Sequence, residues 1–282
     1  MIKPLAFLST GFRHLVNHVT GHYRFPATGG DFRMLPDLCV SCLAPQSSNG
    51  LCGGCRKDLP VNTTACVRCG LPLMRAAPGP GLVCGECLKR PPAFGRAFIP
   101  WRYQFPVDRM IGRYKYRGQR QFARPLLADY VRQVHGMLEE EPERRPQLLV
   151  AAPMHRKRQR KRGFNQAAEI AETISLGTGI PWTDDLLRRV RATVAQSGLD
   201  RRQRLSNLRG VFEVNGTVPG HVAVVDDVVT TGATARTLAS LLRRHGAETV
   251  EIWALARTPA HYPSGQSFSY LAGDGKAGGQ PR

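Results

Sequence analysis

The stretch VAVVDDVVTTGATA, residues 222–235, runs four apolar residues into two adjacent aspartates and then a Thr-Thr-Gly turn. Unbroken apolarity over residues 222–225 predicts a strand buried on both faces, as in the interior of a parallel sheet covered by helices. Past the turn, Ala235, Leu238, Ala239 and Leu242 recur at helical spacing, while Arg236, Arg243 and Arg244 fall outside that stripe. Gly246 suits a helix end, and ETVEIWALA (residues 248–256) reads as another buried strand. The unit is strand, loop, helix, strand. In open α/β sheets, ligands gather beyond the C-terminal ends of the strands. Asp226 and Asp227 stand at such an end. The amides of Val229, Thr230, Thr231, Gly232, Ala233 and Thr234 then enter a helix N-terminus, which favours anions.

A carboxylate pair beside an anion site repels a bare phosphate. It suits a ligand that carries hydroxyls as well, such as a ribose 5-phosphate: the carboxylates accept from the hydroxyls, and the Thr/Gly loop holds the phosphate. An isolated Asp-Asp is more often a solvated strand end with a Thr cap. The order strand, Asp-Asp, TTGAT, helix argues against that bland reading.

This segment resembles the phosphoribosyl pyrophosphate (PRPP) signature of type I phosphoribosyltransferases, and the wider chain resembles the ComF family associated with competence and DNA use. Three further stretches carry the likeness: YKYRG (residues 114–118), PMHRKRQRKRGFNQ (153–166) and RRVRATVAQSGLDRRQRLSNLRGVF (188–212). Together with the cysteine-rich segment they span roughly residues 36–260. The resemblance implies an α/β domain of the type I phosphoribosyltransferase kind, a parallel sheet with helices on both faces, behind a small zinc-ribbon module. It implies that Asp226 and Asp227 form the catalytic pair, and that Pro153 and Met154 approach the pyrophosphate of PRPP. Lys115 is implied as a phosphate contact, with Tyr114 and Tyr116 read as packing residues. Gln196, Arg204 and Asn207 match the family pattern in a loop over the substrate, ordering that loop first and touching ligand second. The implied reaction is attack of a nitrogen nucleophile, with water as the lesser alternative, on the anomeric carbon of PRPP, with pyrophosphate leaving. Positioning and Mg2+ on the pyrophosphate suffice for such chemistry, so the missing Ser/His/Asp arrangement does not exclude an enzyme.

All eight cysteines fall in four Cys-x2-Cys pairs: Cys39/Cys42, Cys52/Cys55, Cys66/Cys69 and Cys84/Cys87. Such a knuckle lets two thiolates reach one tetrahedral metal from a tight turn. Pairing in sequence order closes the shortest loops and gives two structural zinc sites. Interleaved pairing closes longer ones; disulfides and an iron–sulfur cluster remain the rival readings.

The 282 residues carry 40 Lys+Arg against 21 Asp+Glu, a net charge of +19, which favours polyanionic partners over neutral ones. Arg156, Lys157, Arg158, Arg160, Lys161 and Arg162 fill six of seven successive positions. They read either as a solvated face or as a clamp for DNA or another polyanion. The strand expected before them, in PQLLVAAPMH, leads through a loop to an amphipathic helix around residues 165–175. No apolar run approaches a membrane span, and no secretory signal is evident, so a cytoplasmic protein is expected. The expected divisions are 1–35, a leader without a readable role; 36–92, a double zinc ribbon; 93–260, the phosphoribosyltransferase-like domain; and 261–282, a flexible tail. Expected partners are PRPP, single-stranded DNA and DNA-uptake proteins.

Overall fold

The computed structural model describes residues 38–45, 47–73, 81–190 and 210–260, apart from the side chains of Arg156, Lys157 and Lys161. The proposed leader and tail, and Gln196, Arg204 and Asn207, lie outside the described residues. The described residues form one compact unit.

The cysteine-rich segment holds two one-turn helices, α1 (Gly53–Lys57) and α2 (Gly85–Lys89). Short strands β1 (Arg96–Phe98) and β2 (Trp101–Arg102) follow. In α3 (Val107–Arg117), Val107, Met110, Ile111 and Tyr114 are buried at the i, i+3, i+4, i+7 spacing of one helix face, and Gly118 stops the helix in the left-handed region. Helix α4 (Arg124–Glu140) has Pro125 in its first turn, where no intrahelical N–H is needed. Strand β3 (Leu148–Ala151), α5 (Arg156–Arg162), α6 (Gln166–Thr178) and β4 (Trp182–Thr183) come next. Strands β5 (Leu187–Arg189) and β6 (Phe212–Val214) form a separate antiparallel pair flanking residues 190–211. The chain then makes β7 (His221–Val229), α7 (Ala233–Arg244) and β8 (Thr249–Arg257).

The main sheet runs β1-β8-β7-β3-β4, with β2 also on β8, and every pairing is parallel. The buried runs of β7 and β8 are what place them inside it. From β3 the chain crosses rightward through α6 to β4; from β7 it crosses leftward through α7 to β8. Right-handed crossovers in opposite directions put α6 and α7 on opposite faces. Helix α4 packs on the α6 side. Neighbouring strands whose connections diverge in this way leave a crevice between their C-terminal ends. Here that crevice lies between β3 and β7.

Two expectations need correction. The central strand continues through the aspartates to Val229, because β8 keeps pairing with it as far as Val229↔Arg257 after its pairing with β3 stops at Ala151↔Val225. The basic run is a seven-residue helix, α5, where the sequence predicted loop before α6.

Candidate functional site

Because β3 lets go of β7 at Val225, the two aspartates occupy the part of β7 that borders the crevice. Ala152 makes the last link, its N–H donating to the Val225 carbonyl at 2.8 Å. Pro153 and Met154 then leave the sheet opposite Asp226 and Asp227, both half-buried. Asn165 holds this departure. It caps α6 through Oδ1, and its Nδ2 donates to the Ala152 carbonyl at 3.2 Å.

Asp227 is 5% exposed. Its Oδ2 lies 2.7 Å and its Oδ1 3.0 Å from Lys115 Nζ, so α3 supplies the cation that balances it. Burial alone would lower the Lys115 pKa, but Asp227 and Asp226 outweigh it and hold the ammonium above its ordinary value. The family likeness points Lys115 at a phosphate; in this structure its partner is Asp227. Asp226 is partly buried, and that burial, with the Asp227 carboxylate, pushes its pKa up to about 7 against the pull of Lys115. Each carboxylate also accepts the following backbone N–H at 2.8 Å. The pair is thus fixed from the backbone and neutralised from one side.

The loop after β7 is built for close approach. Thr230 is exposed, Thr231, Gly232 and Thr234 are half-buried, and Val229 and Ala233 are buried beneath. Gly232 has φ 75°, which its place at the helix entrance requires and which L side chains rarely adopt. Thr231 Oγ1 accepts from Ala233 N at 3.4 Å at the start of α7, a helix end that favours anions.

The basic helix borders this site. Arg162 lies over the Tyr116 ring at 5.2 Å and donates to Gln166 Oε1 at 3.1 Å. Tyr116, the neighbour of Lys115, is 71% exposed and is no packing residue, whereas Tyr114 is buried with its hydroxyl on Glu169 at 3.0 Å. Arg158 and Arg160 are exposed. Burial, with Arg158 nearby, lowers the pKa of Arg189 at the end of β5, so cations from two elements crowd the same edge. Sequence reasoning missed Arg189, and it missed Asn165 as the tie to β3; both lie inside stretches that carry the family likeness, but their partners are far off in the chain.

The cysteines assemble in sequence order. Cys39, Cys42, Cys52 and Cys55 form one cluster and Cys66, Cys69, Cys84 and Cys87 the other, with sulfurs within 4.8 Å of one another. Cys42–Cys52 and Cys69–Cys84 sulfurs are 3.7 Å apart. A tetrahedral zinc with Zn–S near 2.3 Å needs sulfur separations of about 3.8 Å. Both clusters therefore fit structural zinc, four thiolates each.

Fold and cysteine clusters define the class: an α/β protein with a parallel sheet behind a double zinc ribbon. Residues 33–88 match the double zinc ribbon domain family. DNA utilization protein YhgH of Salmonella typhimurium is 34% identical over 227 residues, 79% of this chain and 98% of that protein. Competence protein F of Haemophilus influenzae is 32% identical over 78% of this chain and 96% of its own length. The chain belongs to the ComF family. A solved hypoxanthine phosphoribosyltransferase from Staphylococcus aureus overlaps 48% of this chain and 65% of its own, at 11% identity and a TM-score of 0.34.

Proposed function

We propose that this protein binds PRPP in the crevice between β3 and β7 and uses it either as a phosphoribosyl donor or as a signal. One observation carries the reading: a buried, lysine-balanced carboxylate pair and a Thr/Gly anion loop follow each other on one strand at the divergence point of the sheet. Asp226 and Asp227 would accept from the ribose hydroxyls. Residues 229–234 would hold the 5-phosphate, and Pro153 and Met154 would line the pyrophosphate arm. Mg2+ would enter on the pyrophosphate as part of the substrate. Lys115 already sits on Asp227, so ribose hydroxyls would share that carboxylate with the ammonium.

As a transferase, the protein would pass the ribosyl group to a nitrogen nucleophile, breaking the anomeric C–O bond and releasing pyrophosphate. Its residues would supply positioning and preorganised dipoles in place of a covalent nucleophile. The second reading is a PRPP-binding protein that handles single-stranded DNA without turnover. The basic edge formed by α5 and Arg189 favours it, as does the relatives' naming for DNA utilization and competence.

Calorimetry with PRPP and Mg2+ tests the shared premise. Asp226→Asn combined with Asp227→Asn should weaken PRPP binding at least about tenfold, the loss of one to two charge-assisted hydrogen bonds. Unchanged affinity in a folded variant overturns the site assignment. Pyrophosphate release over a panel of bases and single-stranded DNA then separates enzyme from sensor.

A further inference from the structure

The two cysteine clusters are attached to the rest of the protein in different ways. Cys39 is fully buried and joins the main apolar core together with Leu51 and Leu59. Beside it, Arg56 pairs with Asp129 of α4, and Pro125 packs near Gly50. Cys66, Cys84 and Cys87 form a small cluster of their own. Cys69 packs against the main core as well, and two arginines tie the cluster to the body on either side of residues 229–234.

Arg257 ends β8 directly beside Val229 and is only 4% exposed. Its Nε donates to the Cys69 carbonyl at 3.1 Å. Its Nη1 donates to the carbonyls of Val229 at 2.9 Å, of Thr258 at 3.0 Å, and of Thr230. Arg236, in the first turn of α7, stands on the other flank of the loop. Its Nη2 reaches Cys87 Sγ at 3.6 Å, and its Nη1 donates to the Arg90 carbonyl at 2.8 Å. Asn62 fixes the turn after Cys69, donating to the carbonyls of Gly70 at 2.8 Å and Ile99 at 3.1 Å. That turn tolerates no side chain: Gly70 has φ 65°, and a Cβ there would lie 2.9 Å from Ile99 Cδ1.

Four thiolates around a divalent zinc leave a net negative centre. Guanidinium groups are permanently charged and offer several donors in a fixed plane. Arg236, rooted in the first turn of α7, therefore holds this module with both ends of its guanidinium, and Arg257 links the Cys69 carbonyl to the carbonyls of Val229 and Thr230. Loss of the metal frees the thiolates to protonate or move, which removes the Cys87 anchor of Arg236 and releases the turn whose Cys69 carbonyl holds Arg257.

We propose that the second four-cysteine site, with its metal, sets the geometry of residues 229–234 through Arg236 and Arg257, so that metal occupancy and anion binding at the loop are energetically coupled. The proposal rests on the PRPP reading of that loop. Both arginines are positioning residues. Coupling of this kind is reciprocal: whatever factor the metal adds to ligand affinity, the ligand adds to metal affinity, typically about 5–150-fold.

The test uses the full, zinc-loaded chain, titrated with a zinc chelator with and without saturating PRPP and Mg2+. Cysteine alkylation mapped by mass spectrometry reports which site has opened. PRPP should raise the chelator concentration needed to expose Cys66, Cys69, Cys84 and Cys87 by about fivefold or more, and leave Cys39, Cys42, Cys52 and Cys55 unchanged. Arg236→Gln, a substitution at a half-buried position, should erase that difference while both zinc ions and a PRPP binding heat remain. If PRPP binds by calorimetry but the chelator concentration that opens the second set does not rise, or rises as much for the first set, the coupling is overturned and the PRPP reading survives. A full shift retained in Arg236→Gln overturns the proposed route. No binding heat in the folded, zinc-loaded protein overturns both readings together.

Discussion

Asp226 makes the cost of the site visible at the scale of one residue. Its carboxyl is raised from 3.8 to about 7 by burial first and by Asp227 second. Between those values the native protein keeps a proton that the unfolded chain releases, so this group's contribution to stability falls as pH rises through that window and stays low above it. Asp226→Asn should therefore stabilise the protein at pH 8, by roughly 2 kcal/mol once solvent screening of a partly exposed group is allowed for, and by almost nothing at pH 4. Thermal melts of both proteins across pH 4 to 8 check this; an equal difference at every pH rejects the assignment. The aspartate pair itself was legible in the sequence, because two charges closing an apolar run have few structural uses. The partner of Asp227 was not. Lys115 is 112 positions away in the chain and lies on the flank of an ordinary amphipathic helix. Arg257 was hidden in the same way, reading as a polar strand end until the fold buries it among carbonyls.

At the scale of elements, local pattern succeeded where an element has a buried face and failed where it has none. Strands β7 and β8 and helix α7 follow from apolar runs and from the stripe of Ala235, Leu238, Ala239 and Leu242, all buried. Helix α5 has no apolar face at all, so no periodicity announces it. Its charge supplies the next prediction. If α5 meets a DNA backbone, affinity for a single-stranded oligonucleotide should fall with salt at a slope of about −0.7 per phosphate contact. Replacing Arg158, Arg160, Lys161 and Arg162 with Gln should flatten that slope by up to about 3 and weaken all sequences alike. PRPP affinity should fall less, because its sugar and 5-phosphate are assigned to β7 and the loop after it. The opposite ordering, a large loss of PRPP capture and negligible DNA affinity throughout, would make α5 a steering surface for the small ligand alone.

Across the whole molecule, the four knuckles announced two metal sites, and the sulfurs meet in that pairing. What spacing could not tell is how unequal the two sites are. The first shares the main core with Leu51, Leu59 and Trp101, while the second forms a separate cluster. Metal binding in such modules is folding free energy. Elemental analysis should find two zinc atoms per chain. Cys39→Ser should lower the melting temperature of the entire α/β body, whereas Cys66→Ser should lower it much less. Equal losses would mean that the second site is as deep in the core as the first. Among the described residues, no helix is long and apolar enough to cross a membrane.

The sheet also imposes an order of events on synthesis. Strands β1 and β2, which directly follow the cysteine-rich segment, join the main sheet through β8, more than half the chain further on, and β2 also bridges back to Val61. A nascent chain emerging from the ribosome can fill its zinc sites early and meet α4 soon after, yet β1 and β2 cannot join the main sheet until β8 has been made. Long-range parallel pairing of this kind is slow and leaves apolar edges exposed meanwhile. The metal-bound ribbons would then be the first folded part of the protein, waiting for the strand that completes its sheet.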